Sequence, residues 1–177
     1  MALFSQRGYE AVGVQDVVAL ASLTKPTLYH YFGSKHGLLA ALLAREAAPL
    51  MMAHSQAAIY KGDLILTLEA IARVYFQFAQ RSPAFYRLSV AMHFSPPESE
   101  TYQAIQPYAR QQQKTMEAVF RKAVEDHGNL RGRHKRYAAG FLGQINAVIG
   151  LYFQGEWDLN DQAIYQFVHQ FMHGIFS

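Results

Sequence analysis

Apolar residues recur at helical spacing along almost the whole chain. Val14, Val17, Val18 and Ala21 fall at i, i+3, i+4 and i+7, a one-sided stripe that stops at Ser22 and predicts a short amphipathic helix. After a turn at residues 22–24 a second helix begins with a readable start. Thr24 is its N-cap, Pro26 sits in the first turn where no intrahelical donor is lost, and Leu23 can staple onto Leu28. Leu28 and Phe32 are its inward face. Ser34 caps a third helix with Leu38, Leu39, Leu42 and Leu43 turned inward, expected to end or kink at Pro49. Further helices are expected over about residues 63–80, capped by Asp63, over 83–92, opened by Pro83, and over 98–126, with Pro107 as a candidate kink. The Ser-Pro-Pro run at residues 95–97 is a firm break. After a basic loop at residues 131–136 two more helices are expected, about 135–155 and 161–175. No segment alternates as a strand does, so the fold class is all-α.

The second helix of the leading pair has about two turns, and its outward face carries Lys25, Thr27, Tyr29 and His30. A short, donor-rich helix after a tight turn is the usual form of a DNA recognition helix. The run L-T-K-P-T-L-Y-H-Y-F-G-S-K-H-G-L-L at residues 23–39 resembles the DNA-binding domain of the TetR family of transcriptional regulators. That resemblance implies nine helices, an N-terminal helix-turn-helix domain over residues 1–48, and a larger effector-binding and dimerisation domain over 49–177. It also implies a ligand-responsive homodimer on double-stranded operator DNA, most simply a repressor released by a small hydrophobic effector. The DNA-binding set is then Gln15, Thr24, Lys25, Pro26, Thr27, Tyr29, His30 and Lys35. Lys25 can donate to guanine O6 and N7, while Thr27, Tyr29 and Lys35 are placed for phosphate oxygens.

Three features depart from the family pattern. Gly13 stands where a Ser or Thr contacts phosphate. Ser22 stands where the turn prefers glycine, and a left-handed non-glycine residue costs on the order of 1 kcal/mol. Only six residues precede Arg7-Gly8, so the helix bracing the pair is expected to be short by two turns or more.

Composition narrows the partners. Of 177 residues, 51% are hydrophobic and only 16% charged, which leaves apolar area for a partner subunit or a ligand. The net charge is +3, but over residues 1–48 four cationic side chains face three acidic ones, so charge on the reader is concentrated at Lys25 and Lys35 rather than spread. Cysteine is absent, which removes disulfide and thiolate chemistry. No apolar run reaches the roughly 18 residues of a membrane span, and the start lacks a signal-peptide layout. A cytoplasmic protein without a membrane partner is therefore expected.

Gly140, Gly143, Ala147 and Gly150 repeat at spacings of three and four on one predicted helix. Three helix-interior glycines cost about 1 kcal/mol each relative to alanine, so close approach of a second copy's helix is the expected compensation; packing against the chain's own helices is the alternative. His169 and His173, at i and i+4, are placed at the edge of that interface. No third ligand accompanies them, so no metal is expected. Tyr75, Phe78, Tyr86, Met92, Tyr108 and Met116 are the expected lining of an effector cavity, against the plainer alternative of ordinary core. No phosphate loop, nucleophile elbow or carboxylate pair appears, which argues against an enzyme, and no cofactor is implied. The remaining alternative is a helical adaptor or sensor that has lost DNA binding.

Overall fold

The computed structural model describes residues 1–174 and is all-helical, with nine α-helices and a 3-10 turn at Gly128–Leu130 among the described residues. In chain order the helices are α1 Ala2–Arg7, α2 Val14–Ala21, α3 Lys25–Phe32, α4 Lys35–Ala57, α5 Leu64–Arg81, α6 Pro83–His93, α7 Glu100–Ala123, α8 His134–Gln154 and α9 Asp161–His173. Ile175, at the expected end of the last helix, lies outside the described residues.

Local capping chemistry sets most of the boundaries. The Ser34 hydroxyl accepts from the Gly37 N–H at 2.9 Å, the Asp63 carboxylate from the Leu66 N–H at 2.9 Å, and the Asn160 side chain from the Ala163 N–H at 2.9 Å. Pro49 neither ends nor interrupts its helix: α4 runs through it to Ala57. A mid-helix proline forfeits one hydrogen bond and crowds the preceding turn, and burial of Ala47 and Leu50 on either side of it supplies the opposing stabilisation. Pro107 likewise lies inside α7. Gly37 permits the sharp join of α3 to α4, because a Cβ there would lie 1.9 Å from the Phe32 carbonyl oxygen.

The chain resolves into two compact units, Met1–Pro49 with Ser82–Ala109 and Leu50–Arg81 with Arg110–Ser177. The units are not contiguous in sequence: α6 and the start of α7 belong with the N-terminal residues. In the first unit α1 packs on α6, and Phe4, Val12, Val18, Leu28 and Leu39 are buried. Of the expected α2 stripe, Val18 is buried, Val14 and Val17 are half-buried, and Ala21 is exposed. Leu23 stays 46% exposed, so the expected staple onto Leu28 buries little of it. In the second unit α5 packs against α8 and α9. Its core holds an aromatic chain from Phe76 to Phe167 at 6.2 Å between ring centroids, on to Phe141 at 5.1 Å and to Phe171 at 5.0 Å.

Candidate functional site

The leading helix pair is built by its caps and one strained residue. Gly13 is extended, and its N–H donates to the Asp16 carboxylate at 2.8 Å, tying the first turn of α2 to its entry. Ser22 closes α2 at φ 53° and ψ 40°, the one left-handed non-glycine residue among the described residues, as its place in the turn led us to expect. The Leu23 N–H then donates to the Val18 carbonyl at 2.9 Å, which turns the chain into α3. Thr24 caps α3 by accepting from the Thr27 N–H at 3.3 Å, and the two threonine hydroxyls lie 2.8 Å apart.

Gln15, Thr24, Lys25, Pro26, Tyr29 and His30 are all solvent-exposed, and Thr27 is half-buried behind the cap. Tyr31, which the sequence reading left out, is 74% exposed with the His30 ring edge-on at 5.2 Å. Its signal was available: with Leu28 and Phe32 inward, Tyr31 is a large aromatic with no apolar neighbour to cover it. Together α3 offers a cation, hydroxyls and two aromatic rings, a set suited to phosphate and base-edge contacts.

Lys35 is placed differently. Its ammonium donates to the carbonyls of Tyr9 at 3.0 Å and Val12 at 3.1 Å, and stands 4.0 Å over the Tyr9 ring. The group expected at phosphate is thus engaged by the α1–α2 loop. The same ring is held from its other end, where the Tyr9 hydroxyl donates to the Glu100 carboxylate at 2.7 Å. Burial and that carboxylate push the phenol pKa well above its ordinary value. His36 Nδ1 lies 3.7 Å from the same carboxylate oxygen. Tyr9, Lys35, His36 and Glu100 therefore join the α1–α2 loop, the head of α4 and the head of α7 in one polar cluster.

Among the six residues expected to line an effector cavity, Tyr75, Phe78 and Met116 belong to the second compact unit and Tyr86, Met92 and Tyr108 to the first. Tyr75, Tyr86, Met92 and Met116 are buried, and Phe78 and Tyr108 are half-buried. Sequence reading missed His54, fully buried on α4 with Nδ1 3.4 Å from the Tyr75 hydroxyl and Nε2 without a partner. Burial lowers its pKa to about 4, so the ring is neutral near pH 7. An open hollow of about 340 Å³ at the loop after α8 and the first turns of α9 is lined mostly by polar residues with Trp157, which does not suit an apolar ligand.

On α8, Gly140, Gly143 and Ala147 are exposed and Gly150 is half-buried. A Cβ added at Gly143 or Gly150 would meet nothing within 4 Å, and one at Gly140 only the Phe171 ring at 3.9 Å. The chain's own helices therefore do not account for Gly143 or Gly150. His169 and His173 are exposed on α9 with ring centroids 4.6 Å apart. Among the described residues no three His, Cys, Asp or Glu side chains converge as a metal site, and no helix is long and apolar enough to cross a membrane.

The short amphipathic α2, the left-handed turn at Ser22 and the Thr24-capped α3 form a helix-turn-helix, followed by further helices. Residues 1–42 match the family described as bacterial regulatory proteins, tetR family. Over these residues the chain is similar to the DNA-binding domain of TetR-family transcriptional regulators. Over 86 residues it is 34% identical to the HTH-type transcriptional activator FasR of Mycolicibacterium smegmatis (strain ATCC 700084 / mc(2)155), a match covering 49% of this chain and 39% of that protein. Its fold is similar to that of the TetR family regulator PfmR from Thermus thermophilus, with a TM-score of 0.77 at 21% identity over 99% of this chain and 92% of that one. It is also similar to the transcriptional regulator FadR from Bacillus subtilis, solved in complex with stearoyl-CoA, with a TM-score of 0.80 at 14% identity over 98% of this chain and 94% of that one.

Proposed function

We propose that the chain is a cytoplasmic, homodimeric repressor that reads a two-fold operator with one α3 per subunit and releases it on binding a hydrophobic acyl effector. The observation that carries the DNA-reading part is the solvent-facing α3, with Lys25, Tyr29 and His30 exposed on a helix capped by Thr24. Two such helices sit in successive major grooves, about 34 to 36 Å apart. The acyl assignment is supported by the apolar composition of the chain and by the stearoyl-CoA held by the similarly folded FadR.

Lys25→Ala is expected to relax sequence preference and to weaken operator binding by roughly 1 to 3 kcal/mol, the worth of a bidentate guanine contact. Gel shifts on the operator and a scrambled duplex check this; equal binding by variant and parent on both duplexes would remove Lys25 from the reading surface.

Effector release follows linkage: a ligand that weakens operator binding must itself bind less tightly to the operator-bound protein. Titration of stearoyl-CoA into free and operator-bound protein should therefore give two affinities, weaker in the second case. Equal affinities would end the release mechanism. A second reading, effector-dependent activation, is favoured by the naming of FasR as an activator. A reporter driven from the operator separates the two by the sign of the change on deleting the gene.

A further inference from the structure

Among the described residues the buried polar side chains, tyrosines apart, are His54, Thr67 and Thr101. The Thr67 hydroxyl donates to the Asp63 carbonyl at 2.6 Å, and Thr101 lies 3.0 Å from the Ser99 hydroxyl. Two buried ring nitrogens among the described residues lack a hydrogen bond: His36 Nδ1, which lies 3.7 Å from the Glu100 carboxylate, and Nε2 of the fully buried His54, which has no charged group beside it. An imidazole sealed from water with an idle nitrogen is costly, and native interiors rarely keep one without a use.

The geometry also chooses the tautomer. If the Tyr75 hydroxyl donates to Nδ1, the hydroxyl hydrogen and the Nδ1 lone pair are both satisfied, and only Nε2–H is left over. In the reverse arrangement the hydroxyl hydrogen and the Nε2 lone pair would both be stranded. The first leaves one idle group and the second two, so Nε2 carries the hydrogen. The Tyr75 ring lies edge-on to the imidazole at 5.3 Å and fixes its plane.

We propose that His54 Nε2–H is the donor that holds the carbonyl oxygen of a buried, uncharged acyl group in the second compact unit, an inference that rests on the effector reading above. A carboxylate fits poorly there, because no Lys or Arg side chain is buried among the described residues to balance its charge. An acyl thioester, ester or amide supplies an acceptor without a charge. The neutral state of the imidazole across the physiological range agrees with a donor role rather than an ion pair.

The test uses a matched pair, octadecanoyl-CoA and its thioether analogue octadecyl-CoA, which differ only in the carbonyl. The full chain should bind the thioester about ten-fold more tightly, the scale of one buried hydrogen bond. His54→Phe keeps the aromatic contact with Tyr75 and should bind the two equally, at the parent's affinity for the thioether. His54→Gln, which places an amide N–H near the same point, should recover most of the preference. Nitrogen-15 NMR of the unliganded parent should show the Nε2–H tautomer, with that resonance moving on adding the thioester, a readout that needs no variant. The inference is overturned by a parent that binds both equally, by His54→Phe keeping the preference or losing both ligands alike, or by an Nδ1–H tautomer. A parent that binds neither compound overturns the effector reading itself, and this inference with it.

Discussion

Lys35→Met is expected to lower the melting temperature of the chain and, by loosening the loop before α2, to weaken operator and non-specific DNA binding together. The ammonium makes two charge-assisted hydrogen bonds, to the carbonyls of Tyr9 and Val12, and lies over the Tyr9 ring. Tyr9 and Val12 are buried, so water does not readily replace the lost donor. Stranding two carbonyls and removing the cation over the ring should cost about 2 to 3 kcal/mol. For a chain of this size that is a fall of roughly 5 to 10 °C. Methionine keeps most of the apolar stem, so the loss reports the ammonium rather than packing. Thermal unfolding followed with and without a duplex decides the matter. Unchanged melting with a salt slope flattened by about one unit would return Lys35 to a phosphate contact.

The same cluster gives the reader its connection to α7. Glu100 accepts from the Tyr9 hydroxyl and lies beside His36 at the head of α4, so the first turn of α7 is tied to the loop before α2 and to the helix after α3. α6 packs on α1, and this cluster holds the loop that follows α1. Gly13, where the family pattern has a hydroxyl, is compensated in another way: its own N–H is held by Asp16, and the turn of α2 is set without a side-chain cap at that position.

What could be read from sequence was whatever is local. The limits of α2 and α3, the caps at Thr24, Ser34 and Asp63, and the left-handed Ser22 each depend on residues within about four positions, and capping chemistry is written at that range. The roles of Lys35 and His54 were not legible for the opposite reason. Lys35 is directed by carbonyls 26 and 23 residues earlier, and His54 by a hydroxyl 21 residues later. Nothing in the run S-K-H-G says where an ammonium on a four-carbon stem will turn. Pro49 does not end α4, since its local cost is real but the burial of its neighbours Ala47 and Leu50 is set by tertiary packing. Ser82–Ala109 packs with the N-terminal residues, an arrangement that no periodicity encodes.

Gly143→Leu is expected to convert the proposed homodimer into a monomer with its helix content intact and, through that, to reduce operator affinity by orders of magnitude. A side chain at Gly143 would meet nothing in its own chain, so α8 itself has room for leucine and gains helix propensity of about 1 kcal/mol from losing the glycine. Any loss must therefore come from outside the protomer. A second helix lying across Gly143 and Ala147 could not accommodate the added volume without moving apart, and separated subunits would each hold a half-site alone. Light scattering and gel shifts on the parent and variant read both effects, with Gly143→Ala as a milder step in the same direction. A variant that stays dimeric and melts higher than the parent would show that this face of α8 is open to solvent, and a monomeric parent at micromolar concentration would remove the homodimer from the proposed function altogether.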